Sequence, residues 1–367
     1  MRGQHEPQEA LFTSISPESR MPEKHPLRLI KSIVDEELAK LSRVFEKMYS
    51  HTGRPSVPPE TLLKSTLLMA LYSISSERLF CEKLDFDLSF RYFLGMGLEE
   101  NSFDHSSFST NRQRLISQNV AERFFNAVVK RIKGSGFLSD EHFTVDGTLI
   151  EAWASMKSFT PKDGDPKSGP STKNPSVDFR GEKRSNLTHQ SVTDPEARLL
   201  RKGDHHRAML CHSLHALMEN RNGFVVASSY GLSVGDTETK QALINFKKLR
   251  RLGFKPTTGG ADKGYLTREF VTGMRRLGIK PHVAPKDNTH IKGVDWRTYR
   301  HENFRISQRK RKLVEQIFGW LKTRGQYRKT PLKGIEKNKY LSAMKLTAYN
   351  LLRYVKLLHS PPGRTFA

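Results

Sequence analysis

The sequence predicts an α/β fold of the α+β kind, in which an all-helical N-terminal domain precedes a mixed sheet flanked by helices. Between residues 28 and 133, apolar residues recur at helical spacing. After Gly134 to Gly136 the pattern changes to short runs that are typical of strands. From there the order is a strand, a hairpin, a helix, a strand, a helix and a strand, which suits a sheet covered by helices.

The N-terminal helices follow a polar, proline-containing tail, residues 1–27, which we expect to be disordered. Helical spacing predicts one helix from Leu27 to Tyr49 and a buried one from Leu62 to Tyr72. The turn at Ser73 to Ser76 then leads into the next helix, an arrangement compatible with a DNA-reading helix-turn-helix. Residues 45–125, however, hold nine basic and ten acidic side chains, so packing or self-association stays an equal alternative.

The second part of the chain, residues 138–355, supplies the strands. The predicted elements are the strand Phe143–Ile150, the hairpin strands Ala208–Met218 and Phe224–Ser233, the helix Asp236–Leu252, a strand ending at Asp262, the helix Thr267–Leu277 and the strand Lys280–Ala284. The segment 157–206 is rich in Pro, Gly and Ser and is predicted to be a long exposed loop. Residues 356–367 form the predicted C-terminal tail.

The charge of the chain indicates a polyanionic partner. Lys and Arg number 62 against 38 Asp and Glu, a net charge of +24. Lys286 to Lys339 alone holds sixteen basic and five acidic residues. Nucleic acid fits this balance better than a small acidic metabolite.

The compartment is predicted from what the sequence lacks. The cysteines, Cys81 and Cys211, are too few for a disulfide framework, which suits a reducing cytoplasm. The N-terminus has no signal-peptide core, and no run of about 18 apolar residues occurs. We therefore expect a soluble cytoplasmic protein with no membrane partner.

The stretch from Ile306 to Lys322 is predicted to be one basic amphipathic helix. At 100° per residue, its side chains Gln308, Arg311, Glu315 and Lys322 share a sector of about 60° beside the apolar arc. Glu315 is the single carboxylate in this stretch. Taken alone, it is explained as well by an ordinary helix ion pair with Arg311, four residues before it.

Two distant aspartates give Glu315 another meaning. Asp146 lies inside an apolar strand and precedes Gly147, and Asp262 follows two glycines and an alanine. Each can be a turn residue at a strand end. A charged group in such a position is otherwise costly unless it is paired or holds a cation. Together with Glu315 the two aspartates form a three-carboxylate set with the hard oxygen ligands that Mg²⁺ or Mn²⁺ prefers.

These residues resemble those of the DDE transposases of bacterial insertion sequences, specifically the IS-five family with an InsH-type N-terminal domain. The segments that carry the resemblance are Arg54–Glu60 with Phe90–Gly95, Val145–Ala152, Gly260–Tyr265 and the helix 306–322. The resemblance implies an RNase H-like catalytic core in which Asp146, Asp262 and Glu315 hold two divalent cations, Mg²⁺ or Mn²⁺.

The family also has a signature of Tyr, Arg, Glu and Lys in its C-terminal helix. Arg311, Glu315 and Lys322 fit this signature, whereas Gln308 stands in the place of the Tyr. We predict that Arg311 and Lys322 contact DNA phosphates near the scissile bond, the alternative being a solvated helix face. We also predict that Gln308 and Lys263 contact the DNA, and that Tyr265 lines the cleft in which these residues lie.

The resemblance further implies hydrolysis at the transposon ends and strand transfer into target DNA. Its partners would be double-stranded DNA, both terminal inverted repeats and target, and further copies of the chain when DNA is bound. The protein would act at the nucleoid in the bacterial cytoplasm. A catalytically silent DNA-binding protein and a non-transposing RNase H-like nuclease are the alternatives.

Two other groups of residues are weaker candidates. His205, His206, Cys211, His212 and His215 look like zinc ligands, but on a strand His212 and His215 would point to opposite faces. Trp320 is predicted to be a packing residue, the alternative being stacking on a flipped base.

Overall fold

The structure is a computed structural model that describes residues 15–50, 52, 55–162, 178–179, 182–201, 207–234, 237–285, 294–295, 298 and 303–359. Its helices are α1 Pro17–Arg20, α2 Pro26–Ala39, α3 Ser42–Glu46, α4 Pro59–Leu71, α5 Glu77–Phe86, α6 Leu88–Leu94, α7 Ser106–Ser117, α8 Val120–Gly134, α9 Thr237–Arg251, α10 Arg268–Arg276, α11 Phe304–Arg311, α12 Val314–Lys322 and α13 Ile335–Leu358. Its strands are β1 His142–Glu151, β2 Phe159–Pro161, β3 Asp178–Phe179, β4 Glu182–Lys183, β5 His189–Ser191, β6 Arg198–Leu200, β7 Met209–Glu219, β8 Val225–Leu232, β9 Thr258–Ala261 and β10 Lys280–Val283.

The central sheet has the strand order β10-β9-β1-β7-β6, with β8 also paired to β7. Strands β1, β7 and β8 are antiparallel neighbours, whereas β9 and β10 run parallel to β1. Helices follow β8 and β9 and return the chain to the sheet. The predicted mixed sheet flanked by helices, preceded by a helical N-terminal region, is confirmed.

The two faces of β1 point to different helices. A Cβ added to Gly260, the β9 residue that pairs with Thr144, would lie 3.1 Å from Ser307 Oγ of α11 and 3.3 Å from Thr144 Oγ1. At Gly259, one position earlier, it would instead meet side chains of α9 and α10. Because side chains alternate along a strand, Asp146 shares the α11 face with Thr144, and Gly147 faces α9.

Helix α13 joins the N-terminal helices to the sheet. It packs on α4 and α8 and also on β8. The side-chain amide of Asn350 pairs with the backbone N–H and C=O of Val225, which closes part of the β8 edge. The buried apolar side chains of the N-terminal helices and of the sheet form one continuous cluster. The two predicted domains therefore share one core across the described residues.

The predicted single helix 306–322 is wrong in its continuity. The structure has α11 and α12, separated by Lys312 and Leu313, and the backbone bonds there span three residues, as from the Leu313 N–H to the Lys310 C=O. Basic residues end α11 and Glu315 opens α12, so the partial charges of both helix ends are compensated at the break. The stripe from Gln308 to Lys322 is consequently not one continuous helical face.

The N-terminal tail is more structured than we expected. Residues 15–27 include α1, which Ser16 and Ser19 cap reciprocally, and Arg28 donates to the backbone C=O of Met21 at 2.8 Å. Residues 1–14, the remainder of the predicted tail, lie outside the described part of the chain. At the other end α13 continues to Leu358, into the predicted C-terminal tail, and residues 360–367 lie outside it. The helix predicted from Leu27 to Tyr49 is divided into α2 and α3.

The predicted exposed loop 157–206 is also partly folded. Strands β2 and β5 pair with each other, and β6 extends the central sheet. Seven buried side chains form a second small core beside it: Ala152, Met156, Phe159, Ala197, Leu199, Ala208 and Leu210. Runs of two or three residues are too short to show a period in the sequence, and for that reason the prediction missed them.

None of the helices in the described part of the chain is long and apolar enough to cross a membrane.

Candidate active site

Asp146 lies within β1, and Asp262 directly follows the neighbouring parallel strand β9. Thr144 of β1 pairs with Gly260 of β9, and each aspartate comes two residues after its member of this pair. Since such strands are about 4.8 Å apart, this register, continued by two residues, brings the two aspartates near each other where β9 ends. The charge of Asp262 accordingly acts on the Asp146 carboxyl.

The Asp146 carboxylate is partly buried, and it accepts a hydrogen bond from its own neighbour. Its Oδ1 accepts from the Gly147 N–H at 2.8 Å. Burial raises the pKa of the carboxyl to about 6, and the negative charges of Asp262 and Glu238 act in the same direction. The Gly147 hydrogen bond and the charge of Arg311 oppose this rise without cancelling it. The ionised form of Asp146 is therefore short of positive partners.

Asp262 is held by the turn that follows β9. It is the N-cap of the 3₁₀ turn Lys263–Tyr265, and its Oδ1 accepts from the Gly264 N–H at 2.8 Å. A Cβ at Gly264 would lie 3.0 Å from that oxygen, so the glycine permits this close approach. Lys263 is exposed beside it, and Tyr265 is buried.

Glu315 lies on the first turn of α12, a helix that packs on β1. Its side chain is exposed, in contrast to the partly buried Asp146. Arg311, the last residue of α11, is partly buried, and its Nε has no hydrogen-bond partner among the described residues. Lys322 ends α12. The break between α11 and α12 thus separates the cation that acts on Asp146 from the third proposed carboxylate.

Gln308 has a role that the sequence did not indicate. Its Nε2 donates to the backbone C=O of His282 in β10, at 2.9 Å. This bond ties α11 to the edge of the sheet, three residues before Arg311. In this arrangement the amide holds the helix in place instead of pointing into open solvent.

Glu238 and Tyr265 also belong to this electrostatic neighbourhood. Burial raises the pKa of the Tyr265 hydroxyl well above its ordinary value, and the charges of Asp146, Glu238 and Asp262 raise it further. The pKa of Glu238 is raised by burial and by Asp262, although its side chain reaches the surface. Sequence reasoning missed Glu238, which lies on the first turn of α9, where no local pattern marks it as a site residue.

In the described part of the chain, no group of three or more His, Cys, Asp or Glu side chains is close enough to hold a metal ion. Asp146 and Asp262 are close enough for their charges to interact, but Glu315 does not form a three-carboxylate group with them. This also bears on the zinc candidates, of which His205 and His206 lie outside the described residues.

The remaining zinc candidates have structural surroundings. His212 Nε2 lies 3.0 Å from Asp194 Oδ2, and both side chains are fully buried. His215 is on the opposite face of β7, against Gly147 of β1. Trp320 packs edge-on against Tyr349, with ring centroids 5.5 Å apart, as predicted for a packing residue.

Two family profiles match the chain. Residues 15–114 match a transposase domain (DUF772), and residues 168–351 match the transposase DDE domain, which covers half of the chain. The chain belongs to the DDE transposase family. The predictions of an insertion-sequence DDE transposase and of a DNA transposase enzyme are confirmed, whereas the narrower IS-five assignment stays a prediction. Asp262 and Glu315 lie inside the second match, and Asp146 precedes it.

Solved structures of other transposases have similarity to this transposase at low identity. The piggyBac transposase synaptic complex with hairpin DNA is 8% identical with a TM-score of 0.41, covering 91% of this chain and 75% of that chain. A pre-cleavage Mos1 transpososome is 13% identical with a TM-score of 0.20, covering 85% and 82%. The Mos1 mariner paired end complex with Mn is 13% identical with a TM-score of 0.21, covering 92% and 98%. No curated protein sequence matches the chain. The family membership rests on the two profile matches.

Proposed function

We propose that this transposase uses Asp146, Asp262 and Glu315 to hydrolyse a phosphodiester bond at each transposon end and to join the freed 3′-hydroxyl to target DNA. The observation that supports the proposal is the register of β1 and β9, which, continued by two residues, brings Asp262 near Asp146, and the charge of Asp262 acts on that carboxyl. Glu315 lies on the first turn of α12, the helix that packs on β1. No covalent enzyme nucleophile is needed for this chemistry.

The carboxylate chemistry of the three residues suits divalent metal ions, which DDE transposases generally use, although Glu315 is not grouped with the two aspartates among the described residues. Three carboxylates offer the oxygen ligands that Mg²⁺ or Mn²⁺ prefers. The raised pKa of Asp146 fits as well, because a cation beside it would stabilise the ionised form that burial disfavours. When bound, two such ions supply activation of the attacking oxygen and stabilisation of the leaving oxygen.

The chain's own cations then orient the DNA. Arg311 lies near enough to Asp146 for its charge to act on that carboxyl, so a phosphate bound at the site would meet its guanidinium. Lys322 at the end of α12 and the exposed Lys263 beside Asp262 extend this positive surface. Gln308 acts as a positioning residue, because its bond to the His282 carbonyl fixes α11 and hence Arg311.

The partners follow from charge and family. With a net charge of +24, the chain attracts the phosphate backbone of double-stranded DNA independently of sequence. Terminal inverted repeats and target DNA are its proposed ligands, at the nucleoid of the bacterial cytoplasm. Because two ends must be joined, more than one copy of the chain would act on the DNA.

The test is a cleavage and strand-transfer assay on short DNA that carries the inverted repeats flanking the coding region, with Mg²⁺ or Mn²⁺ present. Asp262→Asn and Glu315→Gln are compared with Glu46→Gln, which removes an exposed carboxylate on α3 in the N-terminal helical region. We expect the first two variants to lose both reactions and the control variant to retain them.

Each outcome separates the functions that the sequence left open. Strand transfer by the unmodified chain supports the proposal. Cleavage without strand transfer indicates a nuclease, and binding without either reaction indicates a silent DNA-binding protein. If Glu315→Gln retains metal-dependent cleavage, the assignment of Glu315 is wrong.

A further inference from the structure

The outer face of α5, in the N-terminal helical region, consists of side chains that the rest of the described chain leaves uncovered. Its inner face is buried through Phe80, Cys81 and Leu84. On the opposite side Leu79 is 42% exposed and Phe86 is 82% exposed, the latter an unusual exposure for a large aromatic side chain. An open groove of about 690 Å³ runs beside them and is partly lined by Pro17 and Met21.

The exposed side chains form one helical stripe. Leu79, Glu82, Lys83 and Phe86 are spaced i, i+3, i+4 and i+7, so they lie above one another on the same side of α5. All four are exposed. Among the described residues, neither Glu82 nor Lys83 has an ion-pair or hydrogen-bond partner for its side chain. The stripe has an apolar residue at each end and two opposite charges in the middle.

We infer that this stripe is the contact by which two copies of the chain associate, with α5 packed antiparallel against α5 of the second copy. A two-fold axis through the middle of the helix would place Leu79 opposite Phe86 of the second copy and Glu82 opposite Lys83. Both pairs have the same midpoint in the sequence, between residues 82 and 83. A surface that pairs with itself about a two-fold axis must have this self-complementary order.

The charge of the region favours a second protein copy over DNA as the occupant. Residues 45–125 hold nine basic and ten acidic residues, whereas residues 286–339 hold sixteen and five. DNA would be attracted to the second region and would gain little at α5. Self-association was one of the two roles that the sequence left open for the N-terminal helices, and the stripe supplies its contact. This inference goes beyond the proposed catalytic function and does not depend on it.

The test measures self-association of the full chain by sedimentation velocity, without DNA and without metal. Glu82→Lys places two lysines opposite two lysines across the two-fold axis, and Lys83→Glu places four carboxylates together. We expect each variant to weaken the dimer about tenfold or more, because like charges then face each other across the contact. Phe86→Ser, which removes the largest apolar contact, should do the same.

The decisive measurement mixes the two charge variants in equal amounts. When a Glu82→Lys chain meets a Lys83→Glu chain, every lysine again faces a glutamate across the contact. The mixture should therefore form a heterodimer with nearly the affinity of the unmodified dimer. The double variant Glu82→Lys with Lys83→Glu should also regain it. Glu99→Lys, an exposed charge reversal elsewhere in the N-terminal region, is the matched control and should change nothing. Thermal unfolding of every variant shows that the chain is folded.

Three results would overturn the inference. The unmodified chain could be a monomer, as it would be if its own residues 1–14 covered the stripe. The variants could leave an existing oligomer intact, which would place its contact elsewhere. The two single variants could weaken the dimer without rescue in the mixture, which would show that the charges do not face each other. None of these results bears on DNA cleavage, so the catalytic proposal is tested separately.

Discussion

Two carboxylates near β1 and β7 have opposite surroundings. Asp194 is fully buried, and its oxygens accept from His212 at 3.0 Å, from the Gly334 N–H at 3.2 Å and from the Glu196 N–H at 3.3 Å. Burial alone would raise the pKa of Asp194, but these hydrogen bonds and the His212 charge hold it below its ordinary value. Asp146 has one bond, from its own neighbour, and burial raises its pKa to about 6.

The difference separates a structural carboxylate from a candidate catalytic one. A buried charge whose lone pairs are satisfied stabilises the ionised form and the fold around it. A partly buried charge without partners lowers stability, and a fold retains it where a ligand from outside supplies the missing positive charge. This difference indicates that Asp194 holds the segment 184–201 on the sheet, whereas Asp146 is available to bind a positively charged ligand.

The largest expected difference between the two is in catalysis. Asp146→Asn should lower the rate of DNA cleavage on the order of a thousandfold, equivalent to about 4 kcal/mol of activation free energy, because a proposed metal ligand loses its charge. Asp194→Asn should lower the rate only in proportion to the folded fraction. Single-turnover cleavage at saturating metal measures both rates. Equal losses in the two folded variants would contradict the comparison.

Stability should show the reverse order. Asp194→Ala removes one partner of a buried pair and leaves His212 and two backbone N–H groups without their acceptor. We expect the free energy of unfolding at pH 7 to fall by about 3–5 kcal/mol. Urea unfolding followed by circular dichroism measures this loss. As the control, Glu336→Ala removes an exposed carboxylate whose partner, Lys339, is also exposed, and should cost less than about 1 kcal/mol.

Asp146 could be identified as a candidate site residue from the sequence, whereas the structural role of Asp194 could not, and the reasons are physical. A charge inside a long apolar strand is a local conflict that can be recognised without a structure, and the same holds for Asp262 after its glycines. Asp194 lies in a segment whose strands are two or three residues long and whose partner, His212, is 18 residues away. Nothing local distinguishes it from a solvated turn residue, so the loop prediction failed there.

Other parts of the site show the same limit. The period of residues 306–322 predicted helix correctly, but it did not indicate the break at Lys312 and Leu313. Glu238 could be recognised only because the fold brings the first turn of α9 near Asp146 and Asp262. The exposed stripe of α5 could be recognised only after the structure showed which face of that helix is buried. The local sequence pattern thus predicted the helices and strands, whereas long-range packing determined which of their side chains belong to the site or to an exposed surface.

A smaller effect concerns the stability of the metal-free protein. Because the folded pKa of Asp146 is about 6 and its ordinary value is 3.8, the native state keeps a proton between these pH values that the unfolded state has lost. The free energy of unfolding therefore falls as pH rises through this window and stays lower above it. Asp146→Asn should stabilise the protein above pH 6 by about 1–2 kcal/mol, after allowance for partial exposure.

This gain should disappear below about pH 4, where Asp146 is protonated in both states. Thermal unfolding with chelator present, at pH 4 and at pH 7.5, measures the difference between the variant and the unmodified chain. Asp194→Asn, measured alongside, should destabilise at pH 7.5 and do so less at pH 4. A stability gain from Asp194→Asn, or a loss from Asp146→Asn, would invert the comparison.

The smallest expected effect concerns the cations that face the two carboxylates. His212 is committed to Asp194 inside the core, whereas Arg311 acts on Asp146 and still has an Nε without a partner among the described residues. Arg311→Met should therefore weaken DNA binding by about three- to tenfold on any sequence and reduce the salt dependence by about one counterion. Lys130→Met, an exposed charge on α8, is the matched control.

Fluorescence anisotropy at several salt concentrations, without metal, measures the DNA affinity of the Arg311→Met and Lys130→Met variants. The slope of log affinity against log salt concentration distinguishes two cases. A lost phosphate contact lowers both this slope and the affinity, whereas a shifted helix lowers the affinity and leaves the slope unchanged. Gln308→Ala tests that second case, since it releases α11 from the His282 carbonyl and keeps every charge. If Lys130→Met reduces the slope as much as Arg311→Met, DNA is held by charge spread over the whole chain, and Arg311 has no special place opposite Asp146.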